Sequence, residues 1–142
     1  MDKTEDGYEI VWLIRRLFRA LAQTANDSLQ DLGISVADRA TMEFLYPDRK
    51  LTVPEIAERY RVSRQHVQVT VNALLDSGLV ATLDNPRHKR SPFIALTTKG
   101  RALFKRIRAR EAKIVRQLFA DIREHDRRVT QETLEALLAR LD

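Results

Sequence analysis

Arg64, Gln65, Gln68 and Asn72 are spaced so that on a helix they fall within one arc of about 100°. Guanidinium and carboxamide groups make paired hydrogen bonds to the edges of guanine and adenine in a DNA major groove. The opposite arc carries Val67, Thr70, Val71 and Leu74, a face suited to a core. A merely solvated face more typically carries Glu and Lys, whereas this arc holds no carboxylate before Asp76. Further along, Arg87, His88, Lys89 and Arg90 stand consecutively between Pro86 and Pro92. Three cations and an imidazole on a loop fenced by prolines suit phosphates and a minor groove. Catalysis lacks its parts: there is no cysteine, Gly-rich phosphate loop or Gly-x-Ser-x-Gly elbow, and His66, His88 and His125 have no metal-ligand spacing. The sequence predicts no enzyme, no cofactor and no metal.

The chain that must position these groups has 142 residues, 44% of them hydrophobic, enough for one domain spanning 1–142 with its own core. Four glycines and four prolines make wholesale disorder a poor reading. No apolar run approaches the roughly 18 residues of a spanning helix, and the acidic start is unlike a signal peptide, so a soluble, non-exported protein with no membrane partner is expected. The net charge of +5 is unevenly placed. Residues 1–47 hold 5 basic and 8 acidic side chains, 48–110 hold 14 and 5, and 111–142 hold 6 and 7. A basic middle between acidic or near-neutral flanks is the footprint of a polyanion partner.

Around that middle, Ile10, Ile14, Leu17, Leu21, Ala25, Leu29 and Leu32 recur at three- and four-residue steps and predict a helix over 10–32, stopped by Gly33. Its second flank, Val11, Leu13 and Phe18, makes the stripe wider than one packing partner covers, which points to a second chain. Ser35 with Asp38 opens a second helix that Pro47 ends, with Arg39 and Glu43 as an i,i+4 pair. Thr52 with Glu55 opens a short third helix, and Ser63 caps a fourth that ends at Gly78. Two short capped helices joined by a tight turn form a helix-turn-helix. The runs Leu79–Asp84 and Phe93–Thr97 predict a β-hairpin with the basic loop at its tip. Thr97 or Thr98 caps a long helix, Glu124-His125-Asp126 breaks it, and Thr130 opens a last one through Leu134, Leu137, Leu138 and Leu141.

This ordered set resembles the MarR family of winged helix-turn-helix transcriptional regulators over essentially the whole chain. The resemblance is carried by Leu51-Thr-Val-Pro-Glu-Ile-Ala57, by Leu74–Val80 with its Gly78-Leu79-Val80 end, and by Asp84–Gly100 closing in Leu96-Thr97-Thr98-Lys99-Gly100. The expected fold is mainly α with a small β-hairpin wing. Residues 35–97 would form the DNA-binding lobe, and 8–32 with 98–142 a helical dimerisation lobe. The resemblance implies a cytoplasmic, triangular homodimer acting on double-stranded DNA, a repressor released by a small ligand, with recognition helices in successive major grooves and wings in the adjacent minor grooves. Ser63, Arg64, Gln65, Gln68 and Asn72 match the family's recognition-helix contacts, Arg90 the wing arginine, and Lys89 its basic neighbour. A winged-helix module turned to binding another protein is the alternative.

Three departures stand out. Arg61 occupies the turn position that usually takes a left-handed glycine, so a reshaped turn is expected. His88 replaces an aspartate that braces the wing arginine in many relatives, so Arg90 is expected to be held by Asp84. Val69 stands where the family often has a cation, and is suited to a thymine methyl. The resemblance also implies an aromatic or phenolic effector between the lobes, with Trp12, Arg16, Arg39 and Tyr46 as candidates for its lining; the absence of cysteine excludes a thiol-oxidation switch.

Overall fold

The computed structural model describes residues 2–142. Its elements in order are α1 (Lys3–Gln30), α2 (Val36–Leu45), β1 (Lys50–Thr52), α3 (Val53–Tyr60), α4 (Arg64–Asp76), β2 (Val80–Leu83), β3 (Phe93–Leu96), α5 (Thr98–Leu118) and α6 (Glu124–Leu141). The chain divides into two compact units, one reaching to Arg108 and the other Ala109–Asp142.

In the first unit, α2, α3, α4 and a small sheet enclose the core. Met42, Leu45, Ile56, Val71 and Phe104 are wholly buried, with Val67, Leu74, Ile94, Leu96 and Ile107 nearly so. The sheet is antiparallel with strand order β1-β3-β2. Leu51 pairs with Ile94 on one side of β3, and Val80 with Leu96 on the other. The wing is therefore three-stranded where a two-stranded hairpin was expected. Lys50-Leu51-Thr52 is too short to show alternation, and its place is set by pairing with β3.

The caps read from the sequence form as hydrogen bonds. The Asp38 N–H donates to Ser35 Oγ (3.0 Å) and the Ser35 N–H to the Asp38 carboxylate (3.0 Å), a complete capping box. Helix α1 begins at Lys3, well before the expected Ile10. Glu5 and Asp6 favour its positive N-terminal end, and such a start has no apolar periodicity to betray it. It closes around Gly33, whose φ of 66° lets the Ile34 N–H reach the Leu29 carbonyl (3.4 Å). Of all α1, only Leu29 is buried.

The second unit departs from the expected break. α5 ends at Leu118, and Glu124-His125-Asp126 is the first turn of α6. Arg123 is the N-cap, and its guanidinium holds the Asp126 carboxylate (2.9 Å), so these charges start a helix. Thr130 lies inside α6, where its hydroxyl donates to the Asp126 carbonyl (2.7 Å) instead of capping. No residue of α6 is buried.

Candidate nucleic-acid interface

The turn between α3 and α4 is built from both ends. Thr52 caps α3: its Oγ1 accepts from the Glu55 N–H (3.3 Å), while Glu55 Oε1 accepts from the Thr52 N–H (3.1 Å). At the other end Arg61 adopts the left-handed conformation, φ 59° and ψ 43°, and the Val62 N–H reaches the Ala57 carbonyl (3.2 Å). The expected reshaping does not occur. The turn keeps the geometry that glycine would prefer, at a cost of roughly 1–2 kcal/mol for a residue with a Cβ. Ser63 Oγ then accepts from the His66 N–H (3.0 Å) and starts α4. Tyr60 stacks on His66 (centroids 6.3 Å, planes 7° apart) and meets Phe44 edge-on at 5.9 Å, linking α2, α3 and α4.

Val67, Thr70, Val71 and Leu74 of α4 are buried, whereas Arg64, Gln65, Gln68 and Asn72 are exposed, as the wheel predicts. Val69 is also exposed. Gln68 Nε2 donates to Asn72 Oδ1 across 2.9 Å. At the far end Gly78 (φ 72°) closes the helix: its N–H donates to the Leu75 carbonyl (3.0 Å) and the Leu79 N–H to that of Leu74 (2.9 Å).

The same turn is clasped by the start of α5. The Thr97 N–H donates to the Leu79 carbonyl (3.0 Å), Thr97 Oγ1 to that of Gly78 (2.7 Å), and Lys99 Nζ to that of Ser77 (2.9 Å). Thr97 Oγ1 also accepts from the Gly100 N–H (3.0 Å), which settles Thr97 as the cap. A Cβ on Gly100 would lie 2.0 Å from the Leu79 carbonyl oxygen. Two separate sequence motifs are thus one clasp, fixing the recognition helix relative to the wing.

The wing is braced by Asn85, a residue that no sequence motif singled out. Asn85 Nδ2 donates to the Ser91 carbonyl (3.0 Å), and its Oδ1 accepts from the Arg87 N–H (3.3 Å). The His88 N–H reaches the Asn85 carbonyl (3.1 Å) and the Ser91 N–H that of His88 (3.0 Å). An asparagine before a proline-led loop was the available signal. No ion pair joins Asp84 to Arg90 among the described residues, contrary to expectation. Instead, Arg87, His88, Lys89 and Arg90 all stand exposed.

Recognition helix and wing face each other across a cleft of about 1030 Å³ that Arg64, Gln65, Gln68, Arg87, His88 and Arg90 line. Ser63, Val69, Asn72 and Lys89 lie outside its lining. The effector candidates fall into two clusters. Arg16 stacks on Trp12 along α1 (4.6 Å). Arg39, ion-paired with Glu43, lies over Phe104 (5.5 Å), which also packs on Tyr46 (4.9 Å), and Arg108 lies over Tyr46 (5.9 Å). Among the described residues no group of three His, Asp or Glu could hold a metal, and no helix is long and apolar enough to cross a membrane.

A helix-turn-helix whose second helix is free on one face, followed by a small antiparallel sheet with a basic loop, is a winged helix-turn-helix. The MarR family model matches residues 32–91, the stretch that holds the helix-turn-helix and the basic loop of the wing. It is 34% identical over 94 residues to the uncharacterised protein Rv2011c of Mycobacterium tuberculosis. That match spans 66% of this chain and 66% of the relative, just under two thirds of its length. The HTH-type transcriptional repressor Rv2887 of the same organism is 26% identical over 131 residues, 89% of this chain and 94% of that one. Among solved structures, the MarR family transcription regulator SP03579 superposes with a TM-score of 0.92 at 24% identity, covering 98% of this chain and 92% of that one. The Staphylococcus aureus MepR–DNA complex superposes at 0.80 and 21%, covering 92% and 96%. Both share the fold.

Proposed function

We propose that the protein is a sequence-specific, double-stranded DNA-binding transcriptional regulator that acts as a homodimer in the cytoplasm. One observation carries the reading: the uncharged and basic face of α4 and the basic wing converge on a single cleft while the other face of α4 is sealed in the core. Ser63, Arg64, Gln65, Gln68, Val69 and Asn72 supply the major-groove surface, and Arg87, His88, Lys89 and Arg90 the wing contacts. The MepR structure bound to DNA, which has the same fold, supports this assignment. Residues 35–97 form the DNA-binding lobe. Residues 8–32 and 98–142 form the dimerisation lobe, because Ile10, Ile14, Leu17 and Leu21 on α1 and Leu134, Leu137 and Leu138 on α6 remain more than a third exposed in one chain.

Two copies read a pseudo-palindrome with half-sites about 10 bp apart, which places both recognition helices on one face of the duplex. Repression is the mode favoured by the likeness to Rv2887, named a repressor. An aromatic acid is the proposed effector, with Arg39 and Tyr46 beside Phe104 offering a cation and ring faces, and Trp12 with Arg16 a second such pair. Fluorescence titration against the promoter region beside its own gene tests the core of this reading. Specific binding that outcompetes random duplex at moderate salt is expected, and binding indifferent to sequence would sink it.

A further inference from the structure

We propose that Gln68 reads an adenine in each half-site and that Asn72 is the positioning residue that holds it in the reading orientation. This rests on the operator-binding function proposed above. A carboxamide carries two N–H bonds, one on the edge it shares with its carbonyl and one on the outer side. Adenine's major-groove edge offers the N7 acceptor and the N6 donor, which the shared edge of an amide matches bond for bond. Gln68 Nε2 already donates to Asn72 Oδ1 (2.9 Å). The proposal assigns the outer N–H to this bond, so that Gln68 presents Oε1 and the remaining N–H together and a long side chain is held in one orientation before DNA arrives. Asn72 has its carbonyl engaged and is left with donors.

The choice of acceptor sets this pair apart. Two other glutamines donate to the residue one turn on, Gln23 to Asp27 and Gln131 to Glu135, each at 2.9 Å, and both acceptors are carboxylates. Of these three pairs, the one on α4 has the uncharged acceptor. A carboxylate at residue 72 would hold Gln68 equally well but would repel phosphates, so the neutral amide suits a face that meets a polyanion. Both side chains are exposed, so burial does not demand the bond. Gln68 also lines the cleft facing the wing, whereas Asn72 does not, which places the reader toward the ligand and the holder behind it.

The test starts with the full chain selecting from a pool of randomised duplexes. 7-Deazaadenine, which lacks the N7 acceptor, then replaces one symmetric pair of adenines at a time, and affinity is read by fluorescence anisotropy at fixed salt. For the unmodified protein one symmetric position should cost about 10-fold or more. Gln68→Ala should bind more weakly and lose that sensitivity. Asn72→Ala should blunt it. Asn72→Asp, which keeps the acceptor, should retain it while weakening all duplexes alike. Circular dichroism identical among the variants excludes misfolding as the cause. The proposal is overturned by a selectively bound duplex with no sensitive adenine, or by sensitivity that survives Gln68→Ala and vanishes in Asn72→Ala. Equal loss in Asn72→Asp and Asn72→Ala removes Asn72 from its role. Failure to select any duplex over random would instead overturn the operator-binding reading itself.

Discussion

Helices α4 and α1 are both amphipathic, and they end in opposite situations. On α4, Val67, Val71 and Leu74 are sealed against α2, α3 and the sheet, and the polar arc is what faces solvent. On α1 the apolar arc itself is uncovered: Leu17 is 57% exposed and Phe18 72%, although their spacing is as regular. α6 repeats the pattern of α1, with Leu134, Leu137 and Leu138 all exposed. A three-to-four-residue apolar period shows that a helix needs cover and says nothing about whose surface supplies it. Where the chain supplies its own cover the product is a module with a free polar face. Where it does not, the helix remains half of an interface.

The most direct way to break this contrast is to charge the uncovered stripe. Leu17→Glu with Leu21→Glu should be almost neutral for an isolated chain, since both side chains are already exposed. In a dimer that buries them it should remove roughly 3–6 kcal/mol of association, because the two chains together lose four leucines, each about half covered already and contributing about 1.5–3 kcal/mol on full burial. Light scattering should then report a mass near the 16.4 kDa of one chain in place of twice that value. Equal masses for the two proteins would end the contrast.

The covered region can be probed through its clasp. Gly100→Ala would set a methyl group 2.0 Å from the Leu79 carbonyl oxygen, so backbone must move. A loss of about 3 kcal/mol is expected, at the upper end for overpacking, read as a lower urea midpoint with an unchanged slope. A midpoint shift below a few tenths of a molar would show that the clasp yields easily. Arg90→Ala, on the free surface of the same region, should leave stability alone. It should weaken operator binding about tenfold and make the salt dependence shallower by about one unit where a phosphate contact is lost. Unchanged affinity would take Arg90 out of the interface.

The smallest effect is expected at the turn. Arg61→Gly should raise the thermal midpoint, corresponding to about 0.5–1 kcal/mol, because the strain of a left-handed arginine exceeds the extra chain entropy of glycine. A lowered midpoint would mean that the arginine side chain contributes more than its backbone costs.

Much of the lobe is legible without coordinates because its signals are local. Ser35 with Asp38, Thr52 with Glu55, and Ser63 act within one turn of where they stand, and the α4 wheel sorts buried from exposed residues correctly. The misses share a different character. β1 is three residues long and exists through its pairing with β3. The charges at Glu124 and Asp126 read as a breaker because the N-cap at Arg123 is not a usual capping residue. Asn85 as the wing's brace depends on reaching Ser91 across the loop.

The sequence by itself determined the body of most helices, the caps at Ser35, Thr52 and Ser63 and the polar face of α4, because period and capping act through neighbours within a turn. It also determined that the basic charge gathers in the middle of the chain. Only the tertiary structure decided that the Gly78 turn and the Thr97–Gly100 segment are one clasp, that the wing faces the polar side of α4, and that the apolar arcs of α1 and α6 stay uncovered. Those outcomes depend on which surfaces meet. Contact between segments some twenty residues apart is written in three dimensions, in the close approach of Gly100 to Leu79 and the reach of Lys99 to Ser77, and no local pattern encodes it.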